Sequence, residues 1–343
     1  MVKVTVLMPT YNVAPYVKEA IDSVLRQTYS DFELLVIDDC STDNTVEVVR
    51  GIEDRRIRIV QNEKNVGLAE NLNRGLNNIT TEYVARMDGD DIALPHWLES
   101  EISFLETHPD VGVCGGGGVR FGTSNSTIRF PEKHDDIAAN MLFHCTIIVP
   151  TFRMSLYRDY NLRYRADAFP AEDYRFWADC LRVTKLHNIP DSLFRYRMHP
   201  TQICSSRRQE QEGKVAGVRL YMLDWLNSGF TDEEKRYFLD VFQPCRITSK
   251  QDIEEMKRFA SLLISRNNAR NYDNDALHRK FTFHIAYRSL DYVEHAYFPH
   301  RYTPLALIRL LASGLYPFLP GKNRRKLISK CLLLKKKNKS QSE

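Results

Sequence analysis

Short apolar runs rich in β-branched residues punctuate the first part of the chain: Val4–Met8, Phe32–Ile37, Ile57–Val60 and Tyr83–Met87. Between them lie helix-like stretches at Val13–Arg26, Asn44–Arg50 and Leu68–Asn77. Strands alternating with helices predict an α/β fold, a mostly parallel sheet with helices on both faces. A further helix is expected at Pro95–Glu106, where Pro95 suits a first turn. A further strand, Val111–Cys114, runs into Gly115-Gly-Gly-Gly118, and there the pattern changes. Extended pieces near Ile147–Ser155 and Leu193–Met198 flank a helical segment at Ala171–Arg182. From Arg207 the chain reads as helices alone, over residues 207–227, 232–242, 250–268 and 275–296. The expected organisation is an α/β part over 1–205, a helical region over 206–300 and an apolar, basic tail over 301–343.

In a sheet of this kind, ligands sit outside the carboxyl ends of the strands. The polar signals fall in those places. Pro9-Thr-Tyr-Asn12 follows the first strand, Asp38-Asp-Cys-Ser-Thr-Asp43 the second, Asn62 to Gly67 the third and Asp88-Gly-Asp-Asp91 the fourth. One polar loop there would be unremarkable, whereas four along one sheet edge predict a binding site.

Charge changes the picture only at the C-terminus. The net charge is +4, but residues 321–343 carry nine Lys and Arg against the single acid Glu343, a local +8 that leaves −4 for residues 1–320. The body is therefore not a basic nucleic-acid-binding surface. The seven cysteines are scattered and never spaced Cys-x-x-Cys, which argues against a disulfide framework or structural zinc and for reduced thiols in a cytosolic setting. No secretory leader and no spanning helix are expected.

Asp88, Asp90 and Asp91 put three carboxylates just past a buried strand, and crowded like charges need protons or a cation. Mg²⁺ or Mn²⁺ is the natural cation, being hard, oxygen-seeking and usually shared with substrate phosphates. The other reading of this loop is a solvated acidic turn ahead of a helix. Neither a dinucleotide-binding Gly-x-Gly-x-x-Gly nor a phosphate-cradling Gly-x-x-x-x-Gly-Lys-Ser/Thr is present, so phosphates would be held by metal rather than by a glycine-rich helix start.

Met8-Pro-Thr-Tyr-Asn12, Val36-Ile-Asp-Asp-Cys-Ser-Thr-Asp43, Asn65-Val-Gly67, Arg86-Met-Asp-Gly-Asp-Asp-Ile92 and Ala171-Glu-Asp-Tyr174 resemble, in order and spacing, the motifs of inverting family 2 glycosyltransferases with the A-type fold. The resemblance covers about residues 1–205 and implies roles by matched position. Pro9, Thr10 and Asn12 would wall a nucleotide pocket, with Tyr11 near the base or ribose. Asp39 would accept a hydrogen bond from the base, and Asn65 and Gly67 would close a loop over it. Arg86 belongs to the same substrate-binding set. Asp88 would meet the ribose or donor sugar, and Asp90, with Asp88, the metal and diphosphate. Asp173 would be the catalytic base, with Glu172 binding acceptor hydroxyls. Arg197 and His199, within Arg195-Tyr-Arg197-Met-His199 and with Gln202 and Ser205 beyond, would counter leaving-group charge, as would Arg153. Each has a structural alternative. Asp38 and Asp43 suit helix caps, Glu172-Asp173 suits a helix N-terminus, and the Arg195–His199 segment suits a plain strand. Two positions depart from the pattern: Trp97 stands where an Arg is usual, and Cys40 where a Gly is usual.

The resemblance implies transfer from a nucleotide sugar, such as a UDP-sugar, to a hydroxyl of a cell-surface glycan: lipopolysaccharide, capsule or exopolysaccharide. A nucleotidyltransferase shares the layering and the acids but should carry a glycine-rich basic loop after the first strand. A non-catalytic nucleotide-sugar-binding module would be expected to have lost Asp90 or Asp173. The apolar stretch 303–320 with the basic run 322–339 suits the anionic inner face of a cytoplasmic membrane; the alternative is a docking helix and a solubilising tail.

Overall fold

The computed structural model describes residues 2–199 and 207–333. Strand β1 (Val4–Thr10) is buried along its whole length because it lies inside a parallel block. It pairs with β2 (Phe32–Asp38) on one side and β4 (Tyr83–Arg86) on the other, and β3 (Ile57–Gln61) pairs with β2. Helices α1 (Ala14–Leu25), α2 (Thr45–Arg50) and α3 (Leu68–Asn77) connect these strands. The helices bury Val17, Ile21 and Val24 of α1 and Leu72 and Leu76 of α3, as expected when a twisted parallel sheet is covered on both faces.

Beyond β4 the sheet becomes mixed. β5 (Ile92–Ala93) and α4 (Trp97–Thr107) lead to β6 (Val111–Gly122), β7 (Ser126–Ile128), α5 (His134–Asn140), β8 (Thr151–Arg153), α6 (Met154–Asp159), α7 (Glu172–Cys180) and β9 (Lys185–Met198). The strand order is β3-β2-β1-β4-β8-β6-β9-β5, with β7 on β6. The glycine run does not end β6, as its composition suggests, but lies inside it. A Cβ on Gly116 would come within 2.4 Å of Leu193, and one on Gly118 within 2.7 Å of the Phe194 ring. The glycines let β9 side chains cross the face of β6 at contact distance.

The chain divides into two compact units after Met222. The division falls inside helix α8 (Arg208–Leu226). The second unit is helical: α9 (Asp232–Tyr237), α10 (Lys250–Ser265), α11 (Asn274–Ala296), α12 (Pro304–Ala312) and α13 (Gly321–Leu332). Reciprocal capping boxes, Thr231 with Glu234 and Ser249 with Asp252, start α9 and α10. Phe242 and Phe281 meet edge-on at 5.4 Å in its core. Residues 301–333 are folded into helices rather than forming a tail. Among the described residues no helix is long and apolar enough to cross a membrane.

Candidate active site

The loops after β1, β2 and β3 interlock through side chains. Thr10 donates to Asp38 at 3.0 Å, and Asp38 accepts from the Ser41 amide at 2.8 Å. Asn12 adopts a left-handed φ of 53° and accepts from the Thr42 amide. Cys40, in the usual glycine position, is also left-handed, with φ 60°. A non-glycine residue there costs on the order of 1–2 kcal/mol. Asp43 accepts from the amides of Ala14 and Thr45, tying the starts of α1 and α2 together, and its hydrogen bonds lower its pKa against the effect of burial. Asp43 is not the N-cap of either helix, those positions being Val13 and Asn44, but it bonds the first amide of each. Pro9 is buried at the end of β1, whereas Tyr11 stands exposed.

Asp39 is buried and organises the third loop. Its Oδ1 accepts from Asn62 Nδ2 at 2.9 Å and from the Val66 amide at 2.8 Å; its Oδ2 accepts from the Gly67 amide at 2.8 Å. Asn65 donates to the Asp39 carbonyl at 3.2 Å. A carboxylate offers about four acceptor directions, so Oδ2 keeps one for a ligand donor. Gly67 has φ 85° and ψ 155°, a conformation essentially confined to glycine.

The acidic loop is clipped to the end of β9. Ile92 pairs with Arg195 and Ala93 with Phe194, which brings Asp88–Asp91 beside Arg197 and His199. Asp91 is buried and accepts from the Arg197 amide at 2.8 Å. His199 Nε2 lies 3.0 Å from Asp90 Oδ2, and its ring packs on Tyr16 with centroids 4.7 Å apart. Arg197 is held by several partners. Its Nε donates to the Asp90 carbonyl at 2.8 Å, its Nη2 to Glu19 at 2.6 Å, and its guanidinium lies over Tyr16 and Phe121. It braces the acidic loop. Gln202 and Ser205 lie outside the described residues.

Burial and the neighbouring Asp88 push the Asp90 carboxyl above its ordinary range, opposed by His199. Burial, then Asp90 and Asp88, push Asp91 well up. Among the described residues no three His, Cys, Asp or Glu side chains form a ready-made metal cage. Asp90 and His199 supply two donors at one point. That number suits a cation that completes its shell with substrate phosphates and water.

Arg86, at the end of β4, is buried and forks onto Asp88, Nε to Oδ1 at 3.2 Å and Nη2 to Oδ2 at 3.4 Å. Tyr164 lies beside it, 5.7 Å from guanidinium to ring centre. Burial opposes its charge, but the carboxylates of Asp88, Asp173 and Glu172, with Tyr164, hold the guanidinium firmly protonated. Glu172 and Asp173 form the first turn of α7. Burial, then Asp173, pushes Glu172 up to about 7, while Arg86 pulls it down. Burial also raises Asp173, countered by Arg86 and by the Tyr174 amide donating to its Oδ1 at 2.6 Å.

Asp173, Asp88, Asp91 and Arg86 share one cavity of about 350 Å³. Its other walls are apolar: Ile147 to Pro150, Ile128, Trp177, Tyr196 and Met198, with Arg120 among them. One wall is strained. Val149, β-branched and buried, has φ 51°, a genuine outlier for its type. It is held there by Trp97 Nε1, which donates to the Val149 carbonyl at 3.0 Å. Two residues on, Thr151 donates to the buried Glu101 at 2.7 Å. Pattern reading missed this wall and its supports, because nothing in the residues at 147–151 announces a left-handed valine. The one signal was Trp97 in place of the usual arginine. Arg153 lies elsewhere, opposite Tyr83 at the amino end of β4, bonded to the carbonyls of Val111 and Leu105.

Comparison with known proteins bears on the family and the fold. The glycosyl transferase family 2 model matches residues 5–166. An uncharacterized glycosyltransferase of Haemophilus influenzae is 36% identical over 232 residues, covering 63% of this chain and 72% of that one. Among solved structures, S. aureus TarS in complex with UDP-GlcNAc superposes with a TM-score of 0.57 at 19% identity, over 86% of this chain and 91% of that one. The mannosyltransferase PcManGT of Pyrobaculum calidifontis, in complex with GDP-Man and Mn²⁺, gives 0.50 at 17% identity, over 82% and 87%. The α/β architecture with its mostly parallel first half is the fold these structures share, and on sequence and fold together the chain is a sugar-transferring enzyme that belongs to glycosyl transferase family 2.

Proposed function

We propose that the protein transfers a sugar, with inversion, from a nucleotide-sugar donor to an acceptor hydroxyl, using Asp173 as base. The observation that carries this reading is the shared cavity: the carboxylate of Asp173 opens into the same space as Asp88. Inversion needs in-line attack by a hydroxyl on the anomeric carbon, and a hydroxyl is a poor nucleophile until a base accepts its proton. Asp173 takes that proton as the new glycosidic bond forms and the bond from the anomeric carbon to the diphosphate oxygen breaks. The nucleoside diphosphate departs with the bonding electrons. Arg86, whose charge faces Asp88 and the Glu172–Asp173 pair, opposes the rise that burial imposes on the Asp173 carboxyl and so favours its ionised form.

The donor lies along the interlocked loops. Pro9, Thr10, Tyr11 and Asn12 wall the nucleoside, Asp39 receives a donor from the base through its remaining acceptor direction, and Asn65 and Gly67 cover it. Asp88 meets the ribose or sugar. Asp90 and His199 are the residues that would hold Mg²⁺ or Mn²⁺, with Asp88 at the edge of that site. When bound there the cation supplies positive charge against the leaving diphosphate. TarS with UDP-GlcNAc and PcManGT with GDP-Man and Mn²⁺ support a nucleotide sugar and a divalent ion. The donor is a UDP-sugar in this reading. The acceptor is a growing cell-surface polysaccharide or glycolipid, which the enzyme meets as a cytoplasmic, peripheral protein at the inner face of the membrane. A screen of nucleotide sugars with purified protein and Mn²⁺, scoring nucleoside diphosphate release with and without EDTA, tests this. Turnover of no nucleotide sugar, or turnover indifferent to EDTA, contradicts it.

A further inference from the structure

Helix α12 turns the wrong face outward. Its buried anchor is Leu310, and its exposed positions, Pro304, Leu305, Ile308, Arg309, Leu311 and Ala312, follow one another at helical spacing along one side. Leu305, Ile308 and Leu311 are 60%, 61% and 50% exposed. A surface helix of a water-soluble unit ordinarily presents its polar stripe to solvent. The end of α13 repeats the anomaly, with Leu332 at 71% and Leu333 at 62%.

Charge along this stretch of sequence has one sign. Residues 301–333 contain seven Lys and Arg and no acid. Lys330 is engaged inward, with Tyr302 at 3.0 Å and Glu294 at 3.5 Å. Arg301, Arg309, Lys322, Arg324, Arg325 and Lys326 make no ion pair among the described residues. Exposed aliphatic side chains beside unpaired cations fit an anionic lipid surface, where the apolar groups enter the acyl boundary and the cations meet headgroups. A nucleic acid would use the cations and leave the leucines in water.

We propose that α12 and α13 form a docking surface for an anionic lipid bilayer, bound reversibly and in the plane of the interface. It goes beyond the proposed chemistry and rests on it only for the purpose of docking, which brings the enzyme to a membrane-borne acceptor.

The test uses the full chain, sedimented with vesicles of phosphatidylcholine alone and with vesicles of equal phosphatidylcholine and phosphatidylglycerol. Binding is expected only to the second and should fall as salt rises. Leu305→Ser/Ile308→Ser/Leu311→Ser and, separately, Arg324→Gln/Arg325→Gln/Lys326→Gln should each weaken it by about tenfold or more. Both variants should keep the thermal midpoint and the soluble donor turnover of the parent, so that failure of docking and failure of the catalytic reading are read separately. Vesicle binding that is absent, or unchanged in both variants, overturns the proposal. So does a serine variant that only converts a dimer to a monomer in light scattering, which would assign the face to a second copy. Loss confined to the glutamine variant, with matching loss of duplex DNA binding, would assign the patch to nucleic acid and equally overturn it.

Discussion

His199 Nε2 and Asp90 Oδ2 stand 3.0 Å apart, although 109 positions of sequence separate them. The pairing of β5 with β9 makes that approach possible, because it sets the residues after Met198 against the acidic loop. Two donors from distant parts of the chain thus meet at one point on the edge of the sheet.

If that point is where the cation binds, His199→Ala should raise the Mn²⁺ concentration needed for half-maximal turnover by about tenfold or more. Asp90→Ala should abolish the EDTA-sensitive activity. Titration of Mn²⁺ against nucleoside diphosphate release checks both. An unchanged Mn²⁺ requirement in His199→Ala would remove the histidine from the site.

Asp173→Asn should lower kcat by about 10²–10⁴ while leaving nucleoside diphosphate affinity close to that of the parent. Glu172→Gln should cost less, since Glu172 is buried and does not line the cavity that Asp173 shares with Asp88. Steady-state kinetics with calorimetric binding separates the two. Full transfer activity in Asp173→Asn would refute the assignment of the base.

Glu172 gives the fold a pH dependence with a definite sign. Its pKa is about 7 in the folded chain against the ordinary 4.5, raised first by burial and then by Asp173. The folded state therefore binds the proton more tightly than the unfolded state. The stability this contributes is fully present below the ordinary carboxylate range and is lost as pH rises through about 7. Urea denaturation at about pH 5 and about pH 8 should show the parent weakening more than Glu172→Gln, which cannot ionise. Equal slopes would mean the carboxyl is not held protonated.

Trp97→Phe keeps an aromatic ring at this position but removes part of the indole's volume and the donor to the Val149 carbonyl. An unsatisfied buried carbonyl should cost about 1–3 kcal/mol in denaturant unfolding. Because Val149 lines the cavity, the acceptor KM should rise more than the donor KM. Unchanged stability together with an unchanged acceptor KM would show that the indole does not hold this wall.

The parallel half of the sheet was legible because its signals are local. β-branched runs of strand length, separated by helical periodicity, predict β1 to β4, and polar clusters immediately after them predict the loops. Glu172-Asp173 at a helix start was legible for the same reason. The mixed half was less so. Gly115–Gly118 looks like a loop, since glycine breaks local preference, and only the side chains of Leu193 and Phe194 crossing it explain a strand there. The partners of Arg197 were not legible, because sequence carries its charge but not the direction in which Glu19 and Tyr16 draw it. The left-handed Val149 was hidden altogether, its conformation being imposed by Trp97 from another element.

Asp39 carries one further consequence. The oxygens proposed to read the nucleobase already fasten the amides of Val66 and Gly67. In that reading, recognition of the base and the cover over it draw on a single carboxylate. A base that takes its last free direction leaves the fastening whole, whereas one that competes for an occupied direction must loosen its own cover. Selectivity among nucleotides can in this way be enforced by a lid that stays shut for one base and rattles for another.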